Sequence, residues 1–215
     1  FDFVAPEVMW RRADSPWAEL PLQAAAIGVG LGVSDVAAAL LKQTMELPLP
    51  LVVDADGLNL LAADQSLGDV LAARQTPTIL TPHPAEAARL LHCETAAVAA
   101  DRIGAAQMLA AKFHAAVILK GAGSVIINDD NWCICAAGNP GLAQAGAGDV
   151  LTGFVGALLA QTQDAMFAAR AAAWLHAAAA DKQAKEDGKI GLNINSLGKT
   201  AAQLLAMATD HCASL

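Results

Sequence analysis

The chain has 215 residues, enough for one domain with a large core, and we predict a single domain over residues 1–215. Hydrophobic residues make up 55% of the sequence and charged residues 16%, which excludes a disordered protein and suits a mostly buried sheet. The formal net charge of −8 without a basic run argues against nucleic acid as a partner, and the lack of an apolar run of ~20 residues argues against a membrane span.

Short apolar runs alternate with helical patterns in the first half of the chain. Buried strands are predicted at residues 24–30, 50–55, 77–80 and 115–120, and helices at 34–45, from Pro84 onward, and at 95–113. Ser34 suits the N-cap of the first helix, and Pro84 and Glu86 suit the first turn of the second. This alternation predicts a doubly wound, mostly parallel sheet with helices on both faces, an α/β/α sandwich.

The second half of the chain begins with a hairpin and ends in helices. Strands at 124–128 and 132–135 flank a polar turn, and a glycine-rich loop at 138–148 leads into a helix. Two more helices are predicted, at 164–185 and 196–208. Cys133 and Cys135 have no further metal-ligating residues near them in sequence, so we interpret them as small side chains on one strand face. Nothing resembles a disulfide framework, and a cytoplasmic location is expected.

The run GNPGLAQAGAGD, residues 138–149, carries the strongest chemical signal. Its glycines let the backbone approach a ligand closely, and the positive end of the following helix favours an anion. Asp149 falls in the first helical turn, where it is either a functional acid or simply a charge that stabilises the helix N-terminus. No Lys-Ser or Lys-Thr pair follows, which excludes a P-loop.

Three further clusters follow strands, at the sheet edge where ligands bind in such folds. The turn at 120–124 either lies against a nucleotide or needs its glycines only to enter the hairpin. Asp54, Asp56 and Asn59 can hold a ribose or a hydrated Mg²⁺, or Asp56 or Asn59 can cap the following helix. His83, between two prolines, is either a ligand contact on a stiff loop or a structural histidine.

Five motifs in a fixed order make the pattern specific. They are IGVGLG from Ile27, VVDADGLNLL from Val52, TPHPAEAARLL from Thr81, ILKGAGSV from Ile118 and GNPGLAQAGAGDVLTG from Gly138. Together they resemble the ADP-dependent (S)-NAD(P)H-hydrate dehydratase family of the ribokinase-like superfamily. The resemblance implies a ribokinase-like fold and an enzyme that dehydrates damaged, hydrated NADH and NADPH. In this family the bacterial enzymes use ADP and the eukaryotic enzymes use ATP, with Mg²⁺, and the ADP-dependent reaction that the resemblance implies releases AMP and phosphate.

The resemblance also implies roles for individual residues. Asp149 is the catalytic acid/base, and it contacts the substrate. The adenine nucleotide is bound by Lys120, Gly121, Ala122, Gly123, Ser124, Gly146 and Gly148. The hydrate is bound by Gly30, Gly32, Asp54, Asn59 and His83. No side chain is assigned as a metal ligand.

The chain departs from the family pattern at several points. Val29 stands where the first motif usually has proline, and residues 145–149 read Ala-Gly-Ala-Gly-Asp in place of Gly-Gly-Met-Gly-Asp. Residues 191–196 differ from the family's C-terminal motif and receive no assignment. Family members carry a strand, a glycine-rich turn and a helix before the point that matches Phe1. We therefore expect an N-terminal segment to be lacking, and the isolated 215-residue chain to be inactive or strongly impaired.

Partners and alternative functions complete the expectations. The resemblance implies a homo-oligomer, with a tetramer as one form, and an NAD(P)H-hydrate epimerase as the functional partner. A ribokinase-like kinase acting on a sugar or vitamin alcohol would use the same Gly-x-Gly-Asp. A catalytically inactive module that binds a ligand or forms oligomers is the second alternative. The TPHPAEA and VVDADGLN motifs favour the dehydratase over the kinase.

Overall fold

The computed structural model describes residues 8, 9 and 11–213. The strands are β1 (Ala25–Ile27), β2 (Leu51–Val53), β3 (Thr78–Leu80), β4 (Ala116–Leu119), β5 (Val125–Asn128) and β6 (Asn131–Ile134). The helices are α1 (Asp35–Met45), α2 (Ala55–Ala63), α3 (Gln65–Ala72), α4 (Pro84–Leu91), α5 (Thr95–Ala100), α6 (Arg102–Phe113), α7 (Ala147–Thr162), α8 (Ala165–Asp187) and α9 (Leu197–Ala213). Short 3-10 turns cover Trp17–Glu19, Pro140–Leu142 and Ile194–Ser196.

The strands form one six-stranded sheet in chain order. β1 to β4 run parallel to one another, whereas β5 and β6 are antiparallel and form a hairpin at one end of the sheet. Asp129 begins the hairpin turn with φ 51°, a conformation that aspartate tolerates better than most residues. The polar sequence between the last two strands therefore turns where predicted.

Helices cover both faces of the sheet. Val52 and Ile79 point into a layer formed with α7 and α8, whereas Leu51, Val53 and Leu80 point into the opposite layer, formed mainly with α1–α4 and α6. Because both faces are buried, the parallel strands are continuous apolar runs. The predicted α/β/α sandwich around a mostly parallel sheet is confirmed.

Two helical regions differ from the prediction. Residues 95–113 form two helices, because the backbone at Asp101 leaves helical geometry and its carboxylate accepts the Gly104 N–H at 2.8 Å, capping α6. Helix α3 was not predicted; it begins after Asp64, whose carboxylate accepts the Ser66 N–H at 2.8 Å. In both cases an aspartate supplies a cap that starts a new helix.

The first strand ends earlier than predicted because of Gly28. This residue has φ 120°, and a Cβ there would lie 1.8 Å from the carbonyl oxygen of Asp54. Only glycine permits this approach. The loop after β1 is therefore pressed against the end of β2, which brings two of the predicted motifs together.

Other expectations concern the surface and the chain ends. None of the described helices is long and apolar enough to cross a membrane. Cys133 and Cys135 both pack against the α7–α8 side of the sheet, as expected for small side chains on one strand face. The predicted absence of an N-terminal segment concerns sequence before Phe1 and lies outside the described residues.

Candidate active site

A buried ion pair joins the carboxyl ends of β2 and β4. Asp54 is 1% exposed, and its Oδ1 accepts hydrogen bonds from the Lys120 ammonium and the Ala55 N–H, both at 2.8 Å. The Thr152 hydroxyl, on α7, donates to Oδ2 at 2.5 Å. Asp54 is thus the N-cap of α2, so the alternative that Asp56 or Asn59 caps this helix is wrong.

Glu86 and His83 extend this network from the start of α4. Glu86 is buried, and its Oε2 accepts the His83 backbone N–H at 2.7 Å and lies 3.8 Å from the Lys120 ammonium. The Nδ1 of His83 accepts the N–H groups of Ala85 and Glu86, which caps α4. Its remaining ring proton therefore sits on Nε2, 3.2 Å from Glu86 Oε1. Nearly half of the His83 side chain remains exposed to solvent despite these contacts with α4.

The glycine turn after β1 presents bare backbone to open space. Gly30 and Gly32 have φ 63° and 77°, and a Cβ at either position would meet no atom within 4 Å. The Gly32 N–H donates to Asp56 Oδ2 at 2.8 Å, which anchors the turn to α2. The turn can therefore contact a ligand through its backbone without having to move.

The N-terminus of α7 meets the same network. Gly146 is the N-cap with φ 83°, again with open space where a Cβ would lie. A Cβ on Gly148 would lie 3.4 Å from the Lys120 ammonium and 3.9 Å from Asp54 Oδ2. The positive end of a 16-residue helix and an ammonium group thus converge on one point, an arrangement that suits a phosphate. The carboxylate of Asp149, exposed in the first turn, makes no hydrogen bond or ion pair within the described part of the chain.

A cavity of 600 Å³ lies beside this point. Its lining includes the whole 120–124 turn, Gly148, part of the glycine-rich loop, and Ala173, His176 and Ala177 of α8. Backbone groups and small apolar side chains dominate this wall, which suits a flat ring with polar edges. Lys120 lines the cavity and also bonds to Asp54, so it connects the cavity to the buried network.

Two side chains that the motifs do not contain hold the loops of the cavity. Arg102 donates to the carbonyl oxygen of Ala122 at 2.8 Å from α6. Asp181 of α8 accepts the Gly138 N–H at 2.8 Å and the Asn139 side-chain amide at 2.9 Å. Both contacts join residues far apart in sequence, so no local pattern could have revealed them.

Thr152 and Glu86 were also not singled out as site residues, although the sequence contained a signal for each. Thr152 lies four residues after Gly148, and this spacing puts the two residues on one helix face. Glu86 lies three residues after His83, the spacing at which an N3 side chain reaches back to the residue that caps its helix.

The structure brings most of the predicted site residues together. Six of them line the cavity: Lys120, Gly121, Ala122, Gly123, Ser124 and Gly148. Asp54 and His83 join Lys120 through the buried network, and Gly146 and Asp149 flank Gly148. Asn59 instead accepts a hydrogen bond from Arg89 at 2.9 Å, in a shallow groove between α2 and α4.

His176 is a buried histidine in the wall of the cavity. Burial lowers its pKa from 6.5 to about 4, an effect that the nearby Ala147 backbone partly offsets. Its Nε2 has no hydrogen-bond partner within the described residues. The imidazole is therefore neutral at neutral pH. It lies beside the backbone of Ala147, the first residue of α7.

Protonation of His176 should destabilise the fold as the pH falls. Above pH 6.5 the imidazole is neutral in both the folded and the unfolded chain, so its titration takes nothing from the free energy of unfolding. Between pH 6.5 and about 4 the unfolded chain binds a proton that the folded chain does not, which costs about 3 kcal/mol by the end of this window. Urea unfolding at several pH values should show this loss in the wild type relative to His176→Leu. A stability difference that is independent of pH would contradict it.

The described residues contain no group of three His, Cys, Asp or Glu side chains that could hold a metal ion. A magnesium ion at this site would therefore need oxygen ligands from a nucleotide and from water, as is common for Mg²⁺.

The chain resembles known proteins over nearly its whole length. The Carb_kinase family model, described as NAD(P)H-hydrate dehydratase, matches residues 3–203. The ADP-dependent (S)-NAD(P)H-hydrate dehydratase of Neisseria meningitidis is 45% identical over 179 residues, covering 82% of this chain and 60% of that protein. The Bifunctional NAD(P)H-hydrate repair enzyme Nnr of Coxiella burnetii is 42% identical over 192 residues, covering 87% of this chain and 38% of that protein.

Solved structures show the same likeness in three dimensions. The ADP/ATP-dependent NAD(P)H-hydrate dehydratase of Bacillus subtilis, co-crystallised with ATP and Mg²⁺ and soaked with CoA, superposes with a TM-score of 0.80 at 28% identity. The match covers 95% of this chain and 75% of that one. Since the family model spans almost all of this sequence, the chain belongs to the NAD(P)H-hydrate dehydratase family.

Proposed function

We propose that this protein dehydrates hydrated NADH or NADPH, using ADP as the phosphoryl donor. The observation that carries the proposal is the position of Lys120. It lines the cavity that suits an adenine nucleotide, pairs with Asp54, and lies beside the N-terminus of α7. A phosphate bound there would meet an ammonium and a helix end together.

In the proposed arrangement the nucleotide occupies the cavity with its terminal phosphate at Gly146 and Gly148. The hydrate lies against the Gly30–Gly32 side of the site, near His83. Asp149 would then lie between the terminal phosphate of the nucleotide and the hydroxyl of the hydrate. Its carboxylate is exposed and has no hydrogen-bond or ion-pair partner among the described residues. The geometry of the turns and the family resemblance support these proposed positions.

The proposed reaction has two steps. Asp149 takes the proton from the hydroxyl of the hydrated nicotinamide ring, and that oxygen attacks the terminal phosphorus of ADP, so that AMP leaves. Electrons from the ring nitrogen then expel phosphate from the ring, and loss of a ring proton restores the dihydronicotinamide. The products are NAD(P)H, AMP and phosphate. Magnesium would neutralise charge on the nucleotide phosphates when it is bound with them.

The names of the relatives suggest the cellular setting. Proteins called bifunctional repair enzymes match this chain over less than half of their length. We propose that an NAD(P)H-hydrate epimerase works together with this protein and that both act in the cytoplasm. An epimerase would supply the single hydrate epimer on which a stereospecific dehydratase acts.

The direct test is to incubate the natural-length protein with NADH hydrate, Mg²⁺ and either ADP or ATP, and to follow the return of reduced-nicotinamide absorbance. We expect turnover with both nucleotides and a faster rate with ADP. Phosphorylation of an alcohol without return of this absorbance would indicate the kinase alternative. Nucleotide binding without any turnover would indicate an inactive module.

Replacing Gly148 by valine should weaken ADP binding by about tenfold or more, which corresponds to about 1.4 kcal/mol. The new side chain would project towards the Lys120 ammonium and occupy space proposed for phosphate. Calorimetry with ADP measures the change. Gly153→Val is a matched control, because Gly153 lies on the same helix and a Cβ there would meet no atom within 4 Å. Equal ADP affinity in the two variants would refute this position for the phosphate.

A further inference from the structure

One buried carboxylate lies next to both sides of the candidate active site. Glu86, in the first turn of α4, is 6% exposed. Its Oε1 lies 3.2 Å from the Nε2 of His83, on the side proposed for the hydrate, and its Oε2 lies 3.8 Å from the Lys120 ammonium, on the side proposed for the nucleotide. Burying a carboxylate costs free energy, so its presence calls for a compensating role. The proposed reaction assigns Glu86 none.

Capping of α4 explains only one of the two Glu86 oxygens. Oε2 accepts the His83 backbone N–H at 2.7 Å, which is the reciprocal bond of a capping box. Glutamine also occupies this position in capping boxes, because its side-chain oxygen can accept the same bond. The charge of Glu86 and its second oxygen, Oε1, are therefore not needed for the cap.

The imidazole of His83 is held in one orientation by contacts at both of its nitrogens. Nδ1 accepts the N–H groups of Ala85 and Glu86 at 3.1 and 3.2 Å, so it has no lone pair left for a ligand. The ring proton therefore sits on Nε2, where Oε1 of Glu86 faces it. A glutamine that kept the cap through its oxygen would turn its NH₂ group towards this proton instead, which places a donor against a donor.

The Lys120 ammonium depends for its position on Asp54 rather than on Glu86. It donates to Asp54 at 2.8 Å, the length of a direct hydrogen bond, whereas its distance from Glu86 is 3.8 Å. Two buried carboxylates thus face one ammonium beside the place proposed for a phosphate. Because like charges repel, loss of the Glu86 charge should favour a phosphate there.

From these observations we propose that Glu86 is a positioning residue for the hydrate: its charge holds the His83 ring so that Nε2–H donates to the carboxamide oxygen of the nicotinamide ring. The contact of 3.2 Å with Oε1 is longer than a usual charge-assisted hydrogen bond, so the proton remains available to a ligand. His83 orients the ring and cannot act as a base, because neither of its nitrogens has a free lone pair. This inference rests on the proposed function, which assigns the His83 side of the site to the hydrate.

Glu86→Gln in the natural-length protein separates this role from the helix cap. With ADP and Mg²⁺ present, we expect kcat/KM for NADH hydrate to fall by about tenfold or more, the usual effect of losing one hydrogen bond to substrate. ADP affinity, measured by calorimetry, should be unchanged or higher, because a negative charge is removed. A variant that merely loosened the start of α4 would weaken both. Asp64→Asn, which changes the capping carboxylate of α3 into an amide, is the matched control and should alter neither.

A second variant tests whether Glu86 acts through His83. His83→Asn keeps the cap of α4, since an asparagine oxygen takes the place of Nδ1, but it removes the Nε2–H donor. In this background Glu86→Gln should lower kcat/KM no further. Additive losses, an unchanged kcat/KM in the single Glu86→Gln variant, or a weaker ADP affinity in it would each overturn the inference.

Binding of NADH, the stable product, tests the inference without turnover, because NADH carries the same carboxamide as the hydrate. Titration followed by the fluorescence of the reduced nicotinamide should show about tenfold weaker binding in Glu86→Gln and no change in Asp64→Asn. Equal NADH affinity in Glu86→Gln and the wild type would overturn the inference. Absence of hydrate turnover in the wild type, with the loss of NADH binding as expected, would overturn only the proposed function, and a wild type that binds no NADH would overturn both.

Discussion

The Asp149→Asn variant is expected to lose hydrate dehydration by a factor of ~10²–10⁴ in kcat, the usual cost of removing a general base. The amide has nearly the same volume as the carboxylate but cannot take the proton from the substrate hydroxyl. Because the Asp149 carboxylate bonds to no other group in the described part of the chain, the fold should be unaffected. ADP affinity should be nearly unchanged, because the helix end and Lys120 remain in place.

A matched control separates catalysis from helix stabilisation. Asp35 is an exposed aspartate in the first turn of α1, remote from the glycine-rich loop in sequence, and it offers the same charge in the same helical context. Asp35→Asn should leave kcat unchanged. If Asp149→Asn keeps more than about a tenth of the wild-type kcat, or if both variants lose activity equally, Asp149 is only a helix-stabilising charge.

The fold was largely predictable because its signals are local. Each parallel strand is a short apolar run bounded by turn residues, and the helices between them show the spacing of a buried face. Ser34 caps α1 as predicted, accepting the Ala37 N–H at 3.3 Å. The break at Asp101 was not predicted, because alanine-rich sequence on both sides of it favours helix.

The site was predictable only in part, because many of its contacts are long-range. The glycine turns are visible in the sequence, since only glycine readily adopts positive φ. The convergence of Asp54, Lys120 and Thr152 is not visible, because the three residues come from separate elements that only the finished sheet brings together. Asn59 differs in the other direction. Its motif predicted a residue of the binding site, but its position on helix α2 directs the side chain to Arg89 instead.

The buried pair of Asp54 and Lys120 should be strongly coupled in stability. Lys120→Met would leave a carboxylate that is 1% exposed without its cation, and Asp54→Leu would leave the ammonium with only the more distant Glu86. Each single substitution is expected to cost about 3–5 kcal/mol, because an uncompensated buried charge is expensive. The double variant should be less destabilised than the sum of the two, since it removes both charges together.

Urea unfolding of the four proteins in this double-mutant cycle gives the coupling directly. The loss of the α2 cap is common to both variants that lack Asp54, so it cancels in the cycle. The surface pair Arg12–Asp14, with side chains that are 85% and 69% exposed, is the matched control and should show no measurable coupling. Additive effects at Asp54 and Lys120 would mean that their contact contributes nothing to the fold. A coupled pair would mean that the one ammonium among the described residues lining the cavity is held in place by the core of the sheet, so that the phosphate site is assembled before any nucleotide binds.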